Sequence, residues 1–219
     1  MKKNIKNLLL VVLLSCFVCA CASSKAVKDE SSADTNKAAS ANKSSSGSFE
    51  PFYVYDDFMS TKNHYAPSGW MGDFGDIKLD QSCSENPKAG KTCIKITYTA
   101  EMKQAAGWTG IFWQQPANNW GDKKGGFDLS GATKLTFWAK GAKGGEKIAE
   151  FKMGGITGEY PDSDSAVIGP IELTNNWEQY SIDLAGKDLS YIIGGFCFAA
   201  SKDDNSNGFV IYLDDIVYE

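Results

Sequence analysis

Residues 93–100, CIKITYTA, alternate without a break, with Ile94, Ile96 and Tyr98 on one side and Lys95, Thr97 and Thr99 on the other. A period of two places successive side chains on opposite faces, so this stretch is a strand with one dry and one wet face. The same alternation recurs at 134–140, where Leu135, Phe137 and Ala139 oppose Thr136, Trp138 and Lys140. Trp138 is therefore expected to point away from the core. Residues 147–153 set Ala149, Phe151 and Met153 against Ile148, Glu150 and Lys152. Further strands are expected at 53–58, 76–81, 108–115, 166–173, 178–184, 192–200 and 209–219, separated by Gly, Asn, Asp and Pro. Nowhere does a three-and-four spacing run long enough for an ordinary helix. About nine or ten strands with such frequent turns predict an all-β domain, two antiparallel sheets in a jelly-roll sandwich.

The chain has 219 residues, 42% of them hydrophobic, enough for one good core. Part of that length precedes the domain. Lys2, Lys3 and Lys6 are followed by an apolar run at 8–14 and then by small residues, the plan of a secretory signal at 1–20. The run is too short for a bilayer span of roughly 20 residues. Val18, Cys19, Ala20 and Cys21 resemble a bacterial lipobox, with Cys21 as the lipidated residue. Residues 13–16, ending in Cys16, are a second candidate, and simple cleavage near Ala20 or Ala22 a third. Residues 21–50 are rich in Ser, Ala and Lys, with almost no large apolar side chain before Phe49, and read as a flexible tether. The domain is assigned to 51–219. The expected setting is export and membrane attachment through the lipid alone, at the bacterial cell envelope.

The formal charge is −5, and every one of the 22 basic residues is lysine. Without arginine there is no planar fork for phosphate or guanine edges, so nucleic acid is not an expected partner. Neutral ligands are favoured over strongly anionic ones, and a monomer is expected.

Residues 107–127, GWTGIFWQQPANNWGDKKGGF, place Trp108, Trp113 and Trp120 among amides and glycyl turns. Indole faces beside amide donors and acceptors suit a neutral, hydroxyl-rich ligand, whose ring C–H faces stack while its hydroxyls find partners. Trp113 and Trp120 are the leading platforms. Trp70 and Trp108 are rim candidates, and Trp138 is a candidate on an open sheet face. Gln115, Asn119 and Asp122 would supply hydrogen bonds, although turn-making is the other role of such residues. Trp177 reads as a packing residue.

Four segments in order, YVYDDF at 53–58, ATKLTFWAKG at 132–141, NNWEQYSIDL at 175–184 and FVIYLDDIVYE at 209–219, resemble landmarks of the galactose-binding-like β-sandwich superfamily. Many carbohydrate-binding modules belong to that superfamily, as do enzyme accessory domains and a protein-interaction branch. The resemblance implies non-catalytic binding of a neutral polysaccharide or oligosaccharide. The alternatives are a structural or protein-interaction lipoprotein using the same aromatic patch, or a small glycoside hydrolase. The resemblance also implies that the first and last strands are neighbours, with Asp57 and Asp214, beside Asp56 and Asp215, offered to a structural Ca2+. A second loop, Asp203, Asn205, Asn207 and Gly208, matches the start of an EF-type pattern but has no flanking helices.

His64 is the only histidine, which leaves a single base for any nucleophilic triad. Among the carboxylates, Glu150, Glu159, Asp162, Asp164 and Glu172 leave a glycosidase pair open. Cys83 and Cys93 flank the turn-rich SENPKAG and are expected to form a disulfide in an oxidising compartment, while Cys197, within GGFCFAA, reads as a buried thiol.

Overall fold

A computed structural model describes residues 49–219. The expected signal, the lipidation at Cys21 and nearly all of the tether lie outside the described residues. Phe49, at the end of that expected tether, packs against the core beside Gly131.

Thirteen strands form two main antiparallel sheets and one small ladder. The first sheet holds β11 (Glu178–Asp183), β6 (Lys134–Gly141), β13 (Phe209–Tyr218), β4 (Cys93–Tyr98) and β3 (Ile77–Cys83) in that order, with β1 (Phe52–Tyr55) also paired to β13. The second runs β2 (Ala66–Gly72), β5 (Trp108–Gln114), β12 (Gly194–Ser201), β8 (Glu150–Gly154) and β9 (Ser165–Ile168). The short ladder pairs β7 (Glu146–Ile148) with β10 (Ile171–Leu173).

The inner faces are those the alternation dictates. Ile94, Ile96 and Tyr98 from β4 and Leu135, Phe137 and Ala139 from β6 are buried in one core with Ile111, Phe151, Met153, Phe196 and Phe198 from the second sheet. Phe137 meets Phe151 at 4.7 Å and Phe196 at 5.1 Å between ring centroids. Trp113 lies edge-on to Phe196 at 5.6 Å and is 0% exposed. As a stacking platform it is therefore corrected: no face of its ring is available to a ligand.

Two expected strands are each divided. Residues 147–153 break at Ala149 into β7 and β8, so that Ile148, Phe151 and Met153 are all buried. Residues 166–173 break at Gly169 and Pro170, where proline has no N–H to give a ladder. A strand the sequence did not suggest, β2, contains Pro67, Gly69 and Gly72 and lies at a sheet edge, the place where such residues are tolerated.

The β3–β4 connection, residues 84–92, folds back over the outer face of the first sheet as a strap. Trp177 Nε1 donates to Asn86 O at 3.0 Å, and Lys88 Nζ sits 4.0 Å from the centroid of Trp138. Glu85 Oε2 accepts from Lys95 Nζ and Tyr212 Oη. Asp214 Oδ2 accepts the Lys88 and Ala89 N–H groups at 2.8 and 3.2 Å, and Asp57 those of Lys91 and Thr92. β1 does pair with β13, as the resemblance implied. The two carboxylates expected to hold calcium thus direct lone pairs at strap N–H groups. Among the described residues, no three His, Cys, Asp or Glu side chains cluster as a metal site. In the second candidate loop, Asn205 is buried and binds the Lys147 backbone at both its N–H and its carbonyl.

Burial pushes the Asp214 carboxyl up to about 6, against the pull of the Lys88 and Ala89 N–H groups and with help from the Asp215 charge. The folded state therefore holds this proton more tightly than the unfolded chain. The stabilisation is fully present below the ordinary carboxylate range and is lost as pH rises from about 4 through about 6. Relative to Asp214→Asn, the wild-type protein should lose on the order of 2 kcal/mol across that window, read from urea midpoints at a series of pH values. A pH-independent difference would overturn the assignment. Trp113→Ala should cost about 3–5 kcal/mol in the same measurement.

Candidate functional site

The outer face of the second sheet is covered at its Phe112 and Cys197 end, where Ile156 and Ile193 pack over both, and is exposed at its Trp108 end; strand register fixes what it presents. Directly paired residues share a face. Phe112, Cys197, Lys152 and Val167 form one row across β5, β12, β8 and β9. Met71, Gly110, Ala199 and Glu150 form the next row across β2, β5, β12 and β8. Trp108 and Ser201 begin a third. The middle of the face is thus floored by Gly110 and Ala199, with Ser201 beside Trp108 and with Met71 Cε lying 3.0 Å from where a Cβ on Gly110 would sit. Trp108 stands at one end, 41% exposed. At the other, four residues or about 13 Å along β5, Phe112 meets Trp120 edge-on at 6.2 Å.

Trp120 reaches this face from a loop, 44% exposed. Its support begins at Gln114, which is fully buried: Nε2 donates to Asn119 O at 2.9 Å and Oε1 accepts from Ser68 Oγ at 3.0 Å. Ser68 Oγ in turn accepts the Asn118 N–H. Asn119 is a second correction. It is 0% exposed, with Nδ2 donating to Lys123 O and Oδ1 accepting the Gly121 N–H, so it makes the turn and meets no ligand. Gln115 is half-buried and accepts the Gly126 N–H. Asp122 is exposed beside Trp120, whose N–H it accepts at 3.3 Å.

A neighbouring loop braces the first. Tyr160 N–H donates to Gly121 O, and Gly121, at φ +86°, has no room for a side chain because a Cβ would lie 2.0 Å from Thr157 O. Asp162 ties this loop to the sheet by accepting the Ile156, Ile193 and Gly194 N–H groups. Burial raises its pKa despite those three donors. At the opposite end, Asp73 is fully buried and accepts N–H groups from Gln104, Ala106 and Gly107, the loop leading into Trp108. Burial alone would raise the Asp73 pKa, but these donors outweigh it and hold the carboxyl below its usual range. Gln114, Asp73 and Asp162 were not recognised as anchors in the sequence, because their partners are fixed only by the fold.

The remaining candidates lie elsewhere. Trp70 pairs with Ile111 and so faces the core side of the edge strand β2, 38% exposed but not beside Trp108. Trp138 is on the outer face of the first sheet, under Lys88, where it pairs with Asp214. Trp177 packs there against Tyr212. His64, although exposed, stacks on Phe52 at 3.9 Å, and partial desolvation lowers its pKa. Asp164 is engaged with Lys187 and with the Ser165 and Asp188 N–H groups.

On the outer face of the second sheet, Lys152 Nζ lies 3.4 Å from Glu150 Oε1 and 5.3 Å from the centroid of Phe112. This pair puts charged donors and acceptors beside the small-residue floor, two strands over from Trp108 and Phe112. Sequence reasoning had given Glu150 only as one carboxylate among several and had not singled out Lys152. Their common parity with Phe112 and Cys197 across the ladder was the signal, and it requires knowing which strands pair.

No family model matches the sequence, and no curated protein does. Among solved structures, two crystal structures of family 30 carbohydrate-binding modules match with TM-scores of 0.53 and 0.51, each at 15% identity. The first match covers 78% of this chain and 98% of the module, the second 77% and 87%. The family 30 module of a cellulosomal cellulase of Clostridium thermocellum matches at 17% identity and a TM-score of 0.50, over 78% of this chain and 97% of that one. The domain thus has the β-sandwich fold of these carbohydrate-binding modules.

Proposed function

We propose that the outer face of the second sheet, along the side that Trp108 and Trp120 leave exposed, binds a neutral carbohydrate chain without catalysis. The observation that carries the reading is the presence of both Trp108 and Trp120, exposed toward the two ends of one sheet face, with Gly110 and Ala199 forming the floor between them. Indole faces take the apolar C–H faces of pyranose rings, and a low floor admits the chain between them. Glu150, Lys152 and Asp122 supply charge-assisted hydrogen bonds to hydroxyls. The shared fold with carbohydrate-binding modules supports this reading, as does the engagement of His64, Asp162 and Asp164 in packing or backbone bonds. In the cell the domain would be held at the envelope by a lipid on Cys21, where it captures or retains polysaccharide.

Binding of the protein to a panel of soluble neutral polysaccharides, measured by calorimetry, tests the site. Trp108→Ala and Trp120→Ala should each weaken binding by about 1–3 kcal/mol, roughly 5- to 150-fold in Kd, with the unfolding midpoint nearly unchanged. Trp70→Ala and Trp138→Ala should leave the affinity as it is. Chelator should also leave it unchanged; a loss restored by added Ca2+ would instead give Asp57 and Asp214 the calcium expected of them. Absence of binding to every glycan would sink the proposal and make a protein partner the occupant of the same patch.

A further inference from the structure

Cys83 and Cys93 are direct cross-strand partners at the base of the strap, where β3 hands over to residues 84–92 and β4 resumes. Both are buried, and the Cys93 thiol lies 3.5 Å from Cys83 O. Directly opposed residues of an antiparallel pair have Cα atoms about 4.5 or 5.5 Å apart, and both values fall within the roughly 4.4–6.8 Å that a disulfide spans. In this structure the two are free thiols. Around them pack Tyr212, Val210 and Trp177, all on the outer face of the first sheet.

We propose that these two thiols form a redox-closable lock, whose disulfide fastens the strap over the aromatic outer face of the first sheet. From its middle to its C-terminal end the strap is already set by carboxylates, Asp214 at Lys88 and Ala89 and Asp57 at Lys91 and Thr92. Its middle covers Trp138 through Lys88 and holds Trp177 through Asn86. A bond between Cys83 and Cys93 closes the loop covalently at its root, so the strap loses the open conformations it would otherwise sample. Cys197, also buried, is on the other sheet among Phe112, Ile156 and Ile193 and takes no part.

The chemistry is thiol–disulfide exchange with a small disulfide such as oxidised glutathione. The Cys83 thiolate attacks one sulfur of glutathione disulfide, forming a mixed disulfide and releasing one glutathione thiolate. Cys93, after losing its proton, then attacks the Cys83 sulfur and releases the second. Two protein thiols are oxidised to one disulfide, and one glutathione disulfide is reduced to two thiols. Burial pushes the Cys93 thiol up to about 12, so exchange is slow once the fold is complete and fast during folding.

The test is to refold the protein in a glutathione redox buffer, alkylate free thiols, and digest with trypsin. Lys78, Lys88, Lys91 and Lys95 place Cys83 and Cys93 on separate peptides, 79–88 and 92–95, which only a disulfide holds together. The expected result is that linked pair, short of two hydrogens, with Cys197 alkylated. Amide exchange at Lys88, Ala89, Lys91 and Thr92 should then slow about tenfold or more relative to the reduced protein. Separate alkylated peptides after oxidised refolding, or glutathione adducts in place of the linked pair, would overturn the disulfide. A linked pair with unchanged exchange in the strap would overturn the lock. Because the linkage is read on the unaltered sequence, the result does not depend on whether Cys83→Ala folds.

Discussion

The contact on which the sandwich rests is aromatic and lies between the sheets. Phe137 projects from the first sheet onto Phe151 and Phe196 of the second, with its cross-strand partner Tyr180 stacked 5.7 Å away on the same face. Large rings bury more apolar area than any other side chain, and edge-to-face or offset geometry holds two sheets at a defined separation. Tyrosines at the margin fix the registry by bonding to backbone carbonyls, Tyr218 to Gly195 and Tyr65 to Ile192. Gly195 lets that happen, since a Cβ there would lie 2.5 Å from the Tyr65 ring.

Once the inner faces are committed to this core, the rest of each strand is decided by parity, and the loops need anchors of their own. Carboxylates, two of them fully buried, meet that need. Asp73, Asp162, Asp57 and Asp214 each accept two or more backbone N–H groups from a segment that has no strand to pair with. A loop donor left unpaired in the interior would cost free energy, and a carboxylate satisfies several at once. Two of these anchors hold the strap on one sheet. The other two hold the loops that flank Trp108 and Trp120 on the other sheet.

The fold was readable where alternation was long and unbroken, as at residues 93–98 and 134–140, whose inner and outer faces are those observed. It was unreadable at β2, where Pro67 and two glycines mask a strand that survives because it lies at an edge. The aromatic stretch was read by composition when parity already limited it. Trp108 and Trp113 are five residues apart, so on one strand they must face opposite ways, and only one can be outside. The buried amides Gln114 and Asn119 escaped because their hydrogen-bond partners depend on a turn geometry that no spacing in the sequence specifies. The acidic anchors were hidden by distance, Asp214 lying 126 residues from Lys88.

The two outer faces also differ in how their rings are capped. On the first sheet, Lys88 lies over Trp138, and Lys140 lies between Trp177 and Tyr212 at 5.0 and 4.8 Å. An ammonium over an indole face occupies the electron-rich surface that a sugar C–H would use, and removing it forfeits a cation–π contact of about 0.5–1 kcal/mol or more. Among the described residues, no lysine lies over Trp108 or Trp120, and the one cation on their sheet, Lys152 over Phe112, is drawn toward Glu150. Tryptophans of equal size are thus separated by the fold into ring faces already matched with a cation and exposed ring faces that carry none.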